Sequence, residues 1–211
     1  ALAGNVDYII PTTTAKKARV LAEDLKNRGV DVILAGERNG QRIRGFDISN
    51  SPIQASKIST RKVMILTTTT GTVALTDLRE NPKVLVGSIV NAKAVAEKAY
   101  EYAQEYNTDI GIVAAGKNDL EDLVGALLIA NEIRDKCSMD NSVKEELFRQ
   151  VADMDFDKIA PRLKSTENAK KLATLGYFDD VLFSLQLNRF EIVPIFENGK
   201  ITSASTKPAI T

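Results

Sequence analysis

The sequence of 211 residues contains no histidine, no tryptophan and one cysteine, Cys137. The missing histidine removes the usual general base and the commonest side-chain ligand of transition metals. Because a disulfide needs two cysteines, none can form within the chain, and Cys137 is interpreted as an inert small side chain. Any chemistry must therefore use carboxylates, hydroxyls, amides, lysine or arginine. A metal, if one is used, is expected to be a hard ion such as Mg²⁺ held by oxygen atoms.

The sequence also lacks an excess of charge and long apolar runs. Its 28 basic and 28 acidic residues give a formal net charge of zero, which argues against a protein that binds nucleic acid by neutralising phosphates. No run approaches the roughly 20 apolar residues that span a bilayer, and no secretory signal pattern is present. We therefore expect a cytoplasmic protein with neither a nucleic-acid nor a membrane partner.

Strand-like and helical segments alternate along the first two thirds of the chain. Runs of β-branched residues predict strands, and apolar residues at helical spacing predict helices. The predicted strands are 6–11, 30–36, 63–67, 83–88 and 109–116, and the predicted helices are one that ends at Gly29 and 73–79, 92–106 and 120–136. This order is typical of an α/β domain with a mainly parallel sheet and flanking helices.

The C-terminal third has a different pattern. Residues 141–188 are predicted to be helical, and the following segment reads as a terminal β-hairpin that turns at Asn198 and Gly199. No repeat or linker interrupts the chain, so residues 1–211 are predicted to form one domain. The apolar residues of the helical part either cover the sheet or meet a second subunit, which leaves a homo-oligomer open.

Polar residues follow four of the predicted strands. Ligands of parallel sheets bind beyond the carboxyl ends of the strands, so these residues are expected to gather in one site. The first set lies in one long predicted loop, and the others follow the next three strands. The candidates for binding phosphate or substrate are Asn39, Gly40, Asn50, Ser51, Thr68, Thr69, Thr70, Gly71, Thr72, Ser88 and Asn91.

The string TTTTGT, which ends at Thr72, joins a predicted strand to a predicted helix. Backbone N–H groups and hydroxyls at a helix N-terminus bind anions, and the helix dipole adds to the attraction. Gly71 permits close approach of the backbone to a ligand. The other interpretation is that Thr69 or Thr70 caps the helix and the earlier threonines end the strand. The string lacks the lysine and the spacing of a P-loop.

Charged residues offer two further candidate groups. In the loop GERNG, Arg38 can bind a phosphate or carboxylate through two hydrogen bonds, and Glu37 can bind Mg²⁺. A solvated turn with a surface ion pair explains the same residues. Glu121 and Asp122 near a helix start are either a pair of oxygen ligands or surface residues that complement the helix dipole.

Four strings together resemble the 2-phosphosulfolactate phosphatase family of coenzyme M biosynthesis. They are, in chain order, AGERNGQRIRGFDISNSP, TTTTGTVAL, LVGSIVNAKAVA and LEDLVGALL. The similarity runs from Ala1 to Val124 and continues more weakly through STENAKKLATLGYFDDVLFSLQLNRFEIVP. The resemblance implies Mg²⁺-dependent hydrolysis of the phosphate ester 2-phospho-3-sulfolactate to 3-sulfolactate and phosphate.

For this activity we expect Glu37, Arg38 and Asp47 to be catalytic and Glu121 and Asp122 to hold Mg²⁺. The threonine turn and Asn91 would donate hydrogen bonds to phosphate. Arg38 would bind either the sulfonate or carboxylate of the substrate or the charge that develops on phosphorus, and Arg42 and Arg44, nearby in sequence, are further candidates for binding the substrate's anionic groups. Either a water molecule or a side chain attacks phosphorus.

The resemblance also implies features that this sequence does not contain. Family members carry a further strand and an Asp-x-x-Arg-Ala-(Ser/Thr)-Thr type of motif before the segment matched by Ala1, and Ser-x-His-Gly where this chain has Ser165 to Asn168. Two alternatives are left open. One, which follows from the departure at the N-terminus, is a non-catalytic relative that binds anions. The other is a phosphatase of another phosphorylated 2-hydroxy acid, because a family resemblance fixes the reaction type better than the substrate.

Overall fold

The computed structural model describes residues 1–81, 83–116, 119–134, 136 and 155–203. The strands are β1 (Val6–Pro11), β2 (Val32–Arg38), β3 (Gln41–Arg42), β4 (Lys62–Thr67), β5 (Val84–Leu85), β6 (Pro194–Glu197) and β7 (Lys200–Ser203). The helices are α1 (Ala15–Asn27), α2 (Pro52–Ser56), α3 (Gly71–Asp77), α4 (Ala92–Tyr106), α5 (Leu120–Ile133), α6 (Phe156–Leu163), α7 (Glu167–Thr174) and α8 (Phe178–Ser184). A 3₁₀ turn, Ile89–Asn91, directly precedes α4.

The strands form a sheet in the order β3-β2-β4-β1-β7-β6-β5. β4 lies between β2 and β1 and is parallel to both. In contrast, β7 is antiparallel to β1, β6 to β7 and β5 to β6. The predicted α/β class is confirmed, but the sheet is mixed rather than mainly parallel. By these pairings β5 runs in the direction opposite to β1, β2 and β4.

The three parallel strands are buried on both faces. Successive side chains of a strand point to opposite faces of the sheet. Accordingly Val32 and Leu34 pack with Ala22 of α1 on one face, while Ile33 and Ala35 join the core on the other face. A further cluster of buried residues joins α4 to α5. Because both faces are covered, the ends of these strands are the parts that can present polar groups to a ligand.

Two Asn-Gly pairs form tight turns between antiparallel strands. The predicted C-terminal hairpin is confirmed: Asn198 and Gly199 have φ of 51° and 74° between β6 and β7. Asn39 and Gly40 have φ of 55° and 79° and connect β2 to β3 in the same way. The prediction of one long loop after β2 was therefore wrong, because this segment begins with a hairpin and later forms α2.

The segment 109–116 does not form the predicted strand. It is irregular, and Ile112 and Val113 are 40% and 64% exposed. Its β-branched composition favours extended backbone, but a strand also needs a partner whose N–H and C=O groups are free. Within the described residues none pairs with it. The predicted strand 83–88 is likewise reduced to Val84–Leu85.

The predicted helical character of the C-terminal third holds where it is described, since α6, α7 and α8 lie between residues 155 and 188. The predictions for Cys137 and for residues 141–154 fall outside the described residues. None of the helices in the described ranges has the length and apolar character needed to cross a bilayer.

Candidate functional site

The carboxyl ends of β1, β4 and β2 lie side by side and hold one another by hydrogen bonds. Thr12 N–H donates to Leu66 O at 2.8 Å, and the hydroxyls of Thr12 and Thr67 form a buried pair at 2.6 Å. The guanidinium group of Arg38 donates to Thr13 O at 3.0 Å. Polar residues at the ends of all three strands therefore belong to one assembly.

Glu37 joins the turn after β2 to the turn after β4. Its Oε1 accepts hydrogen bonds from the N–H and hydroxyl of Thr69, at 2.8 and 2.9 Å, and its Oε2 accepts one from Gly40 N–H at 2.9 Å. Glu37 as a residue is only 8% exposed. Gly36 permits this geometry, because a Cβ there would collide with the carbonyl of Thr67 on the neighbouring strand.

The threonine turn uses three of its hydroxyls to fix its own shape. Thr68 N–H donates to Thr72 Oγ1 at 3.2 Å, and Thr72 N–H donates to Thr68 Oγ1 at 3.0 Å, while Thr69 is engaged by Glu37. Thr70 flanks α3 without capping it through its side chain. No acceptor among the described residues takes the N–H groups of Thr70 and Gly71, so these two donors are free for an anion.

The arginines of the loop after β2 are largely engaged with the backbone. Arg38 is half-buried and also donates to the carbonyl of the preceding residue at 2.8 Å. Arg42 donates to the carbonyls of Phe46 and Asp47, at 3.2 and 2.9 Å, and so closes its own loop. Arg44 is exposed. Of the three, Arg38 is the one that the hydrogen bonds hold at the strand ends.

Asp47 does not lie with Glu37. Its Oδ2 accepts from Leu34 N–H at 2.7 Å, and its own N–H donates to Leu34 O at 3.0 Å. Leu34 precedes Glu37 by three residues, which is about 10 Å along a strand. Asp47 thus pairs with the middle of β2, and nothing in this arrangement tests the catalytic role predicted for it.

The segment containing Asn50 and Ser51 is tied to the C-terminal helices. Asn50 is exposed, whereas Ser51 is buried and donates its hydroxyl to Asp180 Oδ1 at 2.6 Å. Ser51 also caps α2 by accepting from Gln54 N–H at 3.0 Å. Asp180, which lies on α8 and was not predicted, is a buried carboxylate that fixes this loop across 129 residues of sequence.

Ser88 and Asn91 follow β5, whose direction is opposite to that of β1, so the rule that grouped them with the other strand ends does not apply. Asn91 Oδ1 accepts from the N–H and hydroxyl of Ser88 at 2.8 and 3.1 Å. Asn91 Nδ2 donates to Val86 O and Ile192 O at 3.3 and 3.1 Å. Both amide hydrogens of Asn91 are therefore engaged by main-chain carbonyls.

The acidic residues at the start of α5 lie close together. Burial raises the pKa of Asp122, the Gly116 N–H that it accepts at 2.7 Å opposes this shift, and the charges of Asp119 and Glu121 raise the pKa further. A Cβ at Gly116 would collide with carboxylate oxygens of both Asp119 and Asp122, so these oxygens converge. Within the described residues, no group of three or more acidic or cysteine side chains is arranged to hold a metal ion.

Helix α7 connects this acidic turn with the turn after β2. Asn168 donates to Asp119 Oδ1 and to Glu121 Oε1, at 3.0 and 2.9 Å. Further along α7 the chain approaches the GERNG turn: a Cβ at Gly40 would lie 3.7 Å from Lys171 Cε and 3.1 Å from a methyl carbon of Leu175, the residue that follows the helix. The candidate metal ligands and the GERNG turn therefore lie against the same helix.

Several residues at this edge were missed by the sequence predictions. Thr12, Thr13 and the capping residue Thr14 follow β1, and the threonine run after that strand resembles the one after β4, so it was a usable signal. Asn168 and Lys171 lie on a helix whose sequence shows no sign of a ligand site. Contacts between distant segments of this kind can be found only in the folded chain.

Comparison with known proteins identifies a family that this sequence matches. The sequence model described as 2-phosphosulpholactate phosphatase matches residues 1–199. A probable 2-phosphosulfolactate phosphatase of Clostridium botulinum is 30% identical over 206 residues, covering 95% of this chain and 84% of the relative. Proteins with the same description from Clostridium acetobutylicum and Caldanaerobacter subterraneus are each 31% identical, covering 95% and 97% of this chain and 84% of each relative.

Proposed function

The chain belongs to the 2-phosphosulfolactate phosphatase family, and we propose that it is a phosphoric monoester hydrolase that converts 2-phospho-3-sulfolactate to 3-sulfolactate and phosphate. The proposal agrees with the absence of histidine from the sequence, because phosphoryl transfer depends mainly on positioning and on stabilisation of charge rather than on an imidazole base.

The observation that carries the proposal is that the Glu37 carboxylate connects two turns through hydrogen bonds. The threonine turn and the GERNG turn, which carried the sequence resemblance, meet through the hydrogen bonds from Thr69 and Gly40 to this carboxylate. Both turns stand at the carboxyl ends of parallel strands, where ligands of α/β proteins bind. The pairing supports one site built from both motifs.

In the proposed site, the free N–H groups of Thr70 and Gly71 bind phosphate oxygens, and α3 adds the positive end of its dipole. Arg38 faces the same edge with donors beyond the two that hold carbonyl oxygens, and it stabilises negative charge on the transferring phosphoryl group. Glu37 holds both turns in register, because its two oxygens are occupied by them.

The chemistry of the acidic turn fits Mg²⁺. This ion is commonly bound by one or two carboxylates together with water and substrate phosphate, and Glu121 and Asp122 are the two carboxylates that would supply oxygen ligands. The raised pKa of Asp122 reflects burial first and then negative neighbours, and a divalent cation would offset both effects. When bound, the ion supplies electrostatic stabilisation of the phosphoryl group. We propose Mg²⁺ as the cofactor.

The test is phosphate release from synthetic 2-phospho-3-sulfolactate by the purified chain, with Mg²⁺ and then with EDTA. We expect turnover that EDTA abolishes and that added Mg²⁺ restores. The variant Asp122→Asn should require a higher Mg²⁺ concentration for half-maximal rate. Its control is Asp155→Asn, because Asp155 is an exposed helix-capping residue paired with Lys158.

Other results would redirect the assignment. Turnover that is insensitive to EDTA contradicts the role of Mg²⁺ but leaves the phosphatase activity. Turnover of 2-phospholactate in preference to the sulfonated ester favours a phosphatase of another phosphorylated 2-hydroxy acid. Absence of turnover with both esters, together with measurable binding of phosphate, favours the non-catalytic anion-binding alternative.

A further inference from the structure

Lys171 is carried by α7 to the GERNG turn. A Cβ placed on Gly40 would lie 3.7 Å from Lys171 Cε and equally far from a methyl carbon of Leu172, and it would lie 3.1 Å from Leu175 Cδ1. The two leucines pack α7 against this turn and so fix where the helix lies. The ammonium group, one bond beyond Cε, therefore lies beside the turn that Glu37 organises.

The ammonium group of Lys171 has no partner in the part of the chain that the structure describes. No ion pair or hydrogen bond engages it among the residues that the structure describes. Its neighbour Lys170, on the same helix, is paired instead with Glu167 at 3.1 Å. Lys171 is exposed, so an anion from solvent can reach it.

The two arginines Arg38 and Arg42, on either side of the Asn39–Gly40 turn, already donate hydrogen bonds to the main chain. Arg38 donates to two carbonyl oxygens, and Arg42 closes its own loop by donating to two more. A substrate that carries phosphate, carboxylate and sulfonate presents three anionic groups. Three anions need more cationic donors than one half-engaged arginine supplies, and the unpaired ammonium of Lys171 is placed to add one.

We infer that Lys171 binds the sulfonate group and thereby selects sulfonated over unsulfonated phosphate esters, an inference that rests on the proposed function. The free N–H donors proposed for phosphate lie in the threonine turn, next to Thr69. Lys171 lies on the other side of Glu37, beside Gly40, so one carboxylate and its two hydrogen bonds separate the two positions. Phosphate and sulfonate occupy adjacent carbons of the substrate, so the proposal requires two neighbouring binding positions of this kind.

The test compares Lys171→Gln with the wild-type chain on two esters, 2-phospho-3-sulfolactate and 2-phospholactate, at fixed ionic strength. Loss of a charged hydrogen bond should raise the KM for the sulfonated ester about ten-fold and the KM for phospholactate about two-fold at most, with kcat little changed. Lys171→Arg should restore most of the difference. The matched control is Lys170→Gln, which removes the adjacent, paired cation and should change neither KM.

Binding of 3-sulfolactate and of lactate is measured by titration calorimetry on the same proteins, because it does not depend on turnover. If the wild type turns over neither ester but Lys171→Gln weakens binding of 3-sulfolactate alone, the proposed function fails and the sulfonate subsite stands. An unchanged KM in Lys171→Gln, an equal rise for both esters, or no binding of 3-sulfolactate to an inactive wild type would each overturn the inference.

Discussion

Two turns of this molecule have similar composition and different uses. Both the threonine turn, Thr68 to Thr72, and the serine turn, Ser88 to Asn91, follow a strand and precede a helix, and both offer hydroxyls. In the serine turn the capping box between Ser88 and Asn91 is complete, and the side-chain amide of Asn91 donates to the carbonyls of Val86 and Ile192. In the threonine turn two N–H groups find no acceptor among the described residues, and Glu37 reaches the turn from a neighbouring strand.

The difference teaches that a polar strand end becomes a candidate site through its surroundings rather than its composition. The threonine turn lies at the end of β4, which is flanked by two parallel strands whose ends carry further polar groups. The serine turn follows β5, a two-residue antiparallel edge strand, and its polar atoms satisfy one another. The threonine turn is therefore arranged to bind a group outside itself, whereas the hydrogen bonds of the serine turn stabilise the local fold of the chain.

The largest expected effect comes from Gly36→Ala. The new Cβ would collide with Thr67 O, so β2 must move away from β4 and carry Glu37 away from the threonine turn. We expect a loss of about 3 kcal/mol or more in the free energy of unfolding, by the cost of overpacking, and loss of phosphatase activity even where the chain stays folded. Denaturant unfolding and phosphate release measure the two effects.

The control for this variant is Gly111→Ala, since a Cβ at Gly111 meets nothing within 4 Å. Its free energy of unfolding should stay within about 1 kcal/mol of the wild type. A Gly36→Ala protein with wild-type stability and activity would show that the close approach of β2 to β4 is not needed to place Glu37.

A smaller effect, on stability alone, is expected from Asn91→Ala. The substitution leaves two main-chain carbonyls and both polar groups of Ser88 without their partner, which should cost about 2–3 kcal/mol. Activity measured well below the melting temperature should be unchanged, because this turn is not part of the proposed site. Asn81→Ala, which removes an exposed amide that donates to Leu78 O, is the control and should change stability little. A fall in kcat/KM for Asn91→Ala that exceeds its loss of stability would show that the turn from Ser88 to Asn91 belongs to the active site after all.

Sequence patterns predicted the strands of the buried, parallel part of the sheet. They failed where strand formation depends on whether a neighbouring strand is available for pairing. β1 and β4 were located within one residue, because a buried strand is a continuous apolar run in its own right. Segment 109–116 has the same composition, but it lacks a pairing strand among the described residues and stays irregular. Composition reports the tendency to be extended, whereas pairing depends on topology.

The Asn-Gly pairs show the same limit for the site. At Asn198 the pair was interpreted as a hairpin, and at Asn39 as part of a ligand-binding loop, although both have positive φ and connect antiparallel strands. The rule for such turns applied to both, and the charged neighbours of Asn39 obscured it. Asp180 and Asn168 lay beyond any local rule, because their partners Ser51 and Asp119 are far away in sequence.

The smallest expected effect is that of Thr69→Val, which tests whether the bond between Glu37 and the threonine turn serves catalysis or only the fold. Thr69→Val removes the hydroxyl that donates to Glu37 Oε1 at 2.9 Å but keeps the N–H that donates to the same oxygen at 2.8 Å. One of two hydrogen bonds survives, so the free energy of unfolding should fall by only about 1 kcal/mol. The looser hold on the turn should lower kcat/KM about three- to ten-fold, which corresponds to a similar energy in the transition state. Thr69→Ser keeps the hydroxyl and should behave like the wild type in both measurements. If Thr69→Val lost stability with unchanged kinetics, the link between Glu37 and this turn would serve the fold only, as the link between Asn91 and Ser88 does.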